Sequence, residues 1–187
     1  MGYPNVFRPL GFHPYTQGGR TNPQTVERPV AAARVAVGAA SSAILSVGDA
    51  YALDANGNAY HAGADAVVRG IVIGFRLMAQ PSIMGGAGPI SVDQLVAASA
   101  GWIIGIEDPS ALFEVQSDTF AVTNIGGSFP LLDAADDTSL RQSRQSMNIG
   151  GGAGTQFKAI DIKNSPADNA YGANAVILVR LLQSELA

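Results

Sequence analysis

The residues able to do chemistry are few and scattered. The chain has two histidines, His13 and His61, separated by most of the N-terminal third, and it has no cysteine. Without cysteine there are no disulfides, thiolate zinc sites or cysteine nucleophiles. A zinc or other metal site would need further ligands at short, regular spacing around one of the histidines, and none cluster there. His61 follows a turn sequence and reads as a partly exposed structural histidine. A serine nucleophile needs a base and an orienting acid, and no G-x-S-x-G elbow singles out a serine. The run Gly150-Gly-Gly-Ala-Gly-Thr155 invites a phosphate-loop reading. It lacks the Gly-Lys-Ser/Thr ending that supplies the phosphate lysine and the magnesium hydroxyl, and it reads as a flexible loop.

Carboxylates offer little more. Asp133, Asp136 and Asp137 could form a calcium loop or a catalytic pair. They lack the bidentate glutamate and fixed spacing of an EF-hand, and read as a solvated polar loop. Glu107-Asp108-Pro109 reads as a turn. The sequence therefore points to no catalysis, no metal and no cofactor.

The elements that carry these residues differ sharply along the chain. Hydrophobic residues make up 47% of the 187 residues and charged residues only 14%, against roughly 25% in ordinary globular proteins. That length can bury a substantial core, but so few charges leave apolar surface to be covered by partners. The net charge of -4 hides an asymmetry. Residues 1–34 hold Arg8, Arg20, Arg28 and Arg34 against the single acid Glu27, a net of +3, which leaves -7 for the remainder.

Pro4, Pro9, Pro14, Pro23 and Pro29 fall within the first 30 residues. Their spacing excludes a long helix or a central strand. Tyr3, Phe7, Leu10, Phe12 and Tyr15 are interspersed, which separates this segment from an ordinary disordered tail. It reads as an extended arm, residues 1–33, that orders against a partner, the alternative being that it wraps its own body or frays. About 30 extended residues reach roughly 100 Å. The arginines are too sparse for a nucleic-acid stripe, and the acidic body repels a polyanion. No apolar run approaches the roughly 20 residues of a membrane span. No signal peptide is visible, and Val6 stands where a myristoylation motif requires Ser or Thr.

From residue 34 to 187 the sequence reads as a β body. Short β-rich runs alternate with glycine or Asx turns at Arg34–Val37, Ile44–Val47, Tyr51–Leu53, Val67–Leu77, Trp102–Ile106, Leu112–Gln116, Phe120–Thr123, Phe157–Ile162 and Ala175–Leu182. Asn56-Gly57 marks a hairpin of type I′, which requires φ > 0 at both central residues. The glycines of VVRGIVIGFRL suggest bulges. AVILVRLL, apolar on both faces, suits a central strand or a subunit contact. Ser91-Val92-Asp93-Gln94 has the capping-box pattern and predicts one short helix ending near Gly101. The fold class is therefore mainly β: a β-barrel or β-sandwich body with one short helix and an extended N-terminal arm.

The ordered features of the body resemble the head decoration, or capsid cement, proteins of tailed bacteriophages. Val47-Gly48-Asp49-Ala50-Tyr51-Ala52-Leu53-Asp54 followed by Asn56-Gly57-Asn58-Ala59 is similar to the "G-D-x-v-x-l-D-x-x-G-x-v" hairpin of that group. The order of Phe113–Gln116, Ile125-Gly126, Leu131–Asp133, Ser143–Met147, Phe157–Ile160 and Asn174–Val179 resembles their C-terminal half. The resemblance spans residues 35–187 and leaves out the arm. It implies a homo-oligomer, with a trimer favoured, on the outer surface of a capsid. There it would brace junctions between copies of the major capsid protein. On this reading Tyr3, Phe7, Phe12 and Tyr15 are the arm's anchors, and Arg8 and Arg20 pair with capsid acids. Alternatives are another virion component, such as a tail or fibre module binding carbohydrate or protein, and a small β-fold enzyme.

Overall fold

The computed structural model describes residues 11–15, 23–30, 44–64, 66–76, 94–95, 101–134, 142–163 and 169–182. The chain is mainly β. Its strands in order are β1 (His13–Pro14), β2 (Thr25–Val30), β3 (Leu45–Ser46), β4 (Ala50–Leu53), β5 (Ala59–His61), β6 (Gly70–Arg76), β7 (Gln94–Leu95) and β8 (Gly101–Ile106). They continue with β9 (Phe113–Gln116), β10 (Thr119–Phe120), β11 (Ser128–Phe129), β12 (Leu131–Leu132), β13 (Ser146–Met147), β14 (Phe157–Ile162), β15 (Gly172–Ala173) and β16 (Val176–Leu181).

Two five-stranded antiparallel sheets dominate, ordered β1-β9-β16-β14-β11 and β2-β8-β6-β4-β5. Three two-stranded pairs, β3-β7, β10-β15 and β12-β13, complete the ladders. The sheets are open, with no closure into a barrel among the described residues.

Period-2 alternation explains how the sheets share a core. Ala50, Ala52, Ile71 and Ile106 of the second sheet join one apolar cluster with Phe113, Val115, Phe157, Ala159, Ile177, Val179 and Leu181 of the first. The intervening residues Tyr51, Val72 and Ile103 face the other way, into a smaller cluster with Val30 and Leu45. The inner strands β4, β6 and β8 therefore bury residues on both faces, while the edge strand β2 (TVERPV) stays partly exposed. AVILVRLL forms β16, the central strand of the first sheet, as its two-sided apolar pattern predicts. The glycines of β6 do mark an irregularity, because its register against β8 shifts between Val72 and Gly74.

Two expectations are corrected here. The helix beginning at Ser91 is not formed at Gln94–Leu95. There the chain is strand β7, with Leu95 paired to the fully buried Leu45. A capping box is a local signal, and a ladder to a buried strand overrides it. The rest of that helix, and the strand expected at Arg34–Val37, lie outside the described residues. The helical turn among the described residues is a 3-10 turn at Val122–Asn124, which overlaps the end of the strand expected from Phe120 to Thr123; the strand formed there is Thr119–Phe120.

The second correction concerns the hairpin. Asn56-Gly57 turns the chain, but Leu53 pairs with Ala59, leaving a five-residue loop rather than a two-residue type I′ turn. Gly57 has φ +79°, while Asn56 does not have a positive φ. The Asp54 carboxylate causes this. It accepts the N–H groups of Asn56 at 2.9 Å and Asn58 at 2.8 Å and so wraps the loop around itself. The Asn58 side-chain amide also donates to it at 3.0 Å, and this bond, followed by the backbone ones, lowers the Asp54 pKa.

Candidate functional site

The N-terminal segment was the expected binding element, and its described parts are built into the body. Gly11 enters with φ +74°, and a Cβ there would sit 2.5 Å from both the Gly48 carbonyl and the Ser143 hydroxyl. Only glycine fits that passage. Phe12 then donates its N–H to the Gly48 carbonyl at 2.7 Å and stacks on Phe157, ring centroids 4.5 Å apart. It is 1% exposed. Phe12 is therefore a core residue and not an anchor for a partner. A buried Phe contributes about 2–3 kcal/mol, which a residue free to leave would forfeit.

His13 and Pro14 pair with Glu114 and Phe113 at one edge of the first sheet. Tyr15 is half-buried and donates its N–H to the Leu112 carbonyl. Thr25–Val30 pairs along the whole of β8, at one edge of the second sheet. Both segments take edge positions, where the missing N–H of Pro14 and Pro29 breaks no central ladder. The boundary expected after residue 33 thus does not separate arm from body in the described residues. Tyr3, Phe7, Arg8 and Arg20 lie outside them.

A charged clamp fixes β2. Arg28 grips Glu107 with two hydrogen bonds, Nε to Oε1 and NH2 to Oε2, each 2.7 Å. Tyr51 donates its hydroxyl to Oε1 at 2.8 Å, and Arg69 donates Nε to Oε2 at 3.1 Å. The four groups come from β2, β4, the start of β6 and the end of β8. Tyr51 reaches them by lying flat over glycines: a Cβ on Gly105 or Gly70 would come within 2.5 Å or 2.8 Å of its hydroxyl. Burial pushes the Glu107 carboxyl up, but the hydrogen bonds from Arg28 and Tyr51 and the charges of Arg28 and Arg69 outweigh it, and its pKa is lowered. Burial, and then the hydrogen bond to the Glu107 carboxylate, raise Tyr51 far above the usual phenol range. The Arg28 guanidinium is raised by its bond to Glu107 against an opposing effect of burial. Asp108 does make the expected turn, accepting from the Ser110 N–H and hydroxyl at 2.8 and 2.7 Å. Glu107 instead belongs to the clamp.

A second polar network surrounds His61. The residue is 2% exposed, which corrects the expectation of a partly exposed histidine. Its Nδ1 lies 3.5 Å from Asp133 Oδ1, and its Nε2 lies 3.9 Å from Asp49 Oδ1. The Asp133 side chain is 4% exposed, so it is no part of a solvated loop. Asp136 and Asp137 lie outside the described residues. Gln145 braces the ring from the other side. Its Oε1 accepts from the Ala50 N–H at 2.6 Å, and its Nε2 donates to the Ala62 carbonyl at 2.9 Å. The same Nε2 lies 3.2 Å from His61 Nε2, so the amide nitrogen faces that side of the ring. An imidazole–carboxylate pair can act as a base, but this one is closed to solvent. Its visible role is to tie the β4–β5 hairpin to chain segments some 70 to 80 residues later.

The glycine-rich loop has its own internal anion. The Asp118 carboxylate accepts the N–H groups of Ile149 at 2.8 Å and Gly150 at 2.9 Å, and also that of Thr119. Backbone donors that a phosphate would need are occupied by the chain itself. Among the described residues, no group of three or more His, Asp or Glu is placed to hold a metal ion. No helix among them is long and apolar enough to cross a membrane.

Sequence reasoning missed the two networks because their members are far apart in the chain: 79 residues for Arg28–Glu107 and 84 for His61–Gln145. One signal was available for Phe12. It follows a glycine and directly precedes His-Pro, the two residues of the edge strand β1. No protein-family model, curated protein or solved structure matches this chain.

Proposed function

We propose that this chain is a structural virion protein that binds the outside of a phage capsid. In this role it braces junctions between copies of the major capsid protein, acting as a homo-oligomer with a trimer favoured. The observation that carries the reading is the hairpin at Val47–Ala59, the segment on which the resemblance to capsid cement proteins rests. Each of its polar letters has a backbone duty. Gly48 takes φ +94° and offers its carbonyl to Phe12. Asp49 accepts the Ser46 N–H at 2.6 Å. Asp54 wraps the loop that Gly57 closes.

The mechanical arrangement also suits a brace. Phe12 roots the N-terminal segment in the core shared by both sheets, so tension on residues 1–10 passes into the body. The contacts proposed for capsid binding are accordingly Tyr3, Phe7, Arg8 and Arg20. Several weak arms in one oligomer hold more firmly than their separate affinities suggest, through effective concentration. A charge-poor body suits extensive, partly apolar contacts.

The test is co-sedimentation with expanded, undecorated phage heads. Full-length protein is compared with a deletion of residues 2–10, which spares Phe12 and β2. Saturable pelleting of the full chain, with binding weakened at least tenfold in the deletion, is the expected result. Failure of both proteins to pellet with heads overturns the capsid reading. Equal binding by both overturns the arm's role.

A further inference from the structure

The outer face of the first sheet carries two cations side by side. Across β11, β14 and β16, Ser128 stands opposite Lys158, and Lys158 stands opposite Arg180. Each adjoins buried residues of its own strand: Phe129 for Ser128, Phe157 and Ala159 for Lys158, Val179 and Leu181 for Arg180. Alternation therefore turns all three side chains outward, in one row across three strands. Lys158 and Arg180 are exposed. Directly opposed residues hold their Cβ atoms about 4.5–5.5 Å apart, and like charges so placed destabilise a sheet.

No shortage of acids forces this arrangement. Residues 35–187 hold seven Lys and Arg against fourteen Asp and Glu. Other cations of the chain meet a carboxylate: Arg28 and Arg69 meet Glu107, Arg76 meets Glu27, and Lys163 meets Glu114. Among the described residues, Lys158 and Arg180 meet none. A local conflict that the fold retains points to a use outside the fold.

The next row limits what that use is. About 7 Å along the strands, half-buried Leu178 stands between Asp161 of β14 and Glu114 of β9. A polyanion, with its closely spaced phosphates, would run from the cations onto these two carboxylates and be repelled. A carboxylate on a folded protein ends at the cations. There the Arg180 fork takes it bidentately, the Lys158 ammonium adds a point charge, and the Ser128 hydroxyl supplies a further donor. We infer that the Ser128–Lys158–Arg180 row is a docking point for an acidic loop of a partner protein. This deepens the proposed function by adding a contact on the body to those of the arm. Only the name of the partner, the major capsid protein, rests on that reading.

The test variant is Lys158→Gln with Arg180→Gln. Both residues are exposed, and removing the like-charge pair should leave Tm at or above that of the wild type. The full-length chain, labelled with 15N, is titrated with tetraglutamate peptide at low salt. The largest amide shifts are expected around Ser128, Lys158 and Arg180. They should be reversed by added salt, and binding should be about tenfold or more weaker in the double variant. The variant, with its arm intact, is also expected to co-sediment with phage heads about tenfold more weakly. Peptide shifts that centre elsewhere, or that persist in the variant, overturn the inference. A Tm several degrees below the wild type overturns it too, since the pair then serves the fold. An oligothymidylate of equal charge that binds the row more tightly than the peptide assigns it to nucleic acid and overturns an acidic protein partner. Undiminished head binding by the variant overturns this contact and leaves the capsid reading intact. Failure of the wild type to bind heads, with the peptide shifts present, overturns the capsid reading and upholds the row as an acidic-loop site.

Discussion

Replacing Glu107 by Gln tests whether the charged clamp holds β2 on the body. Gln keeps an oxygen for the Tyr51 hydroxyl but removes the charge that Arg28 and Arg69 share. The Glu107 side chain is 10% exposed, Arg28 30% and Arg69 25%. Exposed ion pairs contribute about 0–1 kcal/mol, and breaking a fully buried pair costs about 3–5 kcal/mol. A pair at this intermediate burial, with a bidentate geometry, falls at about 2 kcal/mol. For a domain of this size that is a fall in Tm of roughly 4–8 °C. The cost should be localised, so hydrogen exchange at Thr25–Val30 should rise more than at β16. Arg28→Met alone should cost a similar amount, and the double variant should cost less than the two added, with a coupling of about 1 kcal/mol or more. The sign with pH follows from the lowered Glu107 pKa. Its stabilisation is complete above the ordinary value of 4.5 and is lost as pH falls through the lower folded value. The wild type should therefore lose more stability on acidification below 4.5 than Glu107→Gln does. Additive single costs, or a Glu107→Gln loss under about 0.5 kcal/mol, would refute the clamp.

Two other predictions separate core from contact. Phe12→Ala should destabilise by about 3–5 kcal/mol in urea melts. Tyr3→Ala with Phe7→Ala should leave stability within about 0.5 kcal/mol while weakening head binding; equal stability losses would place all three residues in one role. Tyr51, raised by burial and by its bond to Glu107, contributes stability that is complete below pH 10 and is lost as pH rises beyond it. In a 295 nm alkaline titration the Tyr51→Phe variant should show the same ionising tyrosines as the wild type until unfolding, because Tyr51 ionises only with unfolding.

The parts of this fold that were legible in the sequence depend on nearest neighbours. Short β-rich runs set off by glycine and Asx turns placed β8, β9, β14 and β16, and the two-sided apolar run of β16 placed it centrally. Proline spacing correctly kept the N-terminal segment out of the sheet centres, yet it could not show that the segment joins their edges. That required the partner strands, 79 residues away in the case of Arg28 and Glu107. The same limit explains the helix. Ser91-Val92-Asp93-Gln94 is a sound local helix start, but the pairing of Leu45 with Leu95 is a non-local fact that no capping pattern contains. His61 and Asp133 were assigned to exposed settings because an isolated polar residue beside a turn usually is exposed. Their burial depends on Gln145 satisfying the Ala50 N–H and the Ala62 carbonyl across the core.

The location of Phe12 changes what an arm means in this molecule. Force that reaches the body from residues 1–10 enters it at Gly11. Its backbone sits against Gly48 and Ser143, and Phe12 follows directly into the stack on Phe157. Phe157 lies on β14, next to the central strand β16, while Gly48 directly precedes the Asp49–Ala50 entry to the second sheet. A pull on residues 1–10 is therefore divided at once between both sheets instead of peeling a single edge strand from its end. Further along, Arg28 anchors β2 through Glu107, so unzipping from the downstream side meets a charged clamp. If the segment were only an edge strand, losing Phe12 and losing Glu107 would act on one cooperative unit and give overlapping effects. The Phe12 stack and the Glu107 clamp share no side chain, so their destabilisations should add in a double variant, and a coupling above about 0.5 kcal/mol would show that they act as one unit.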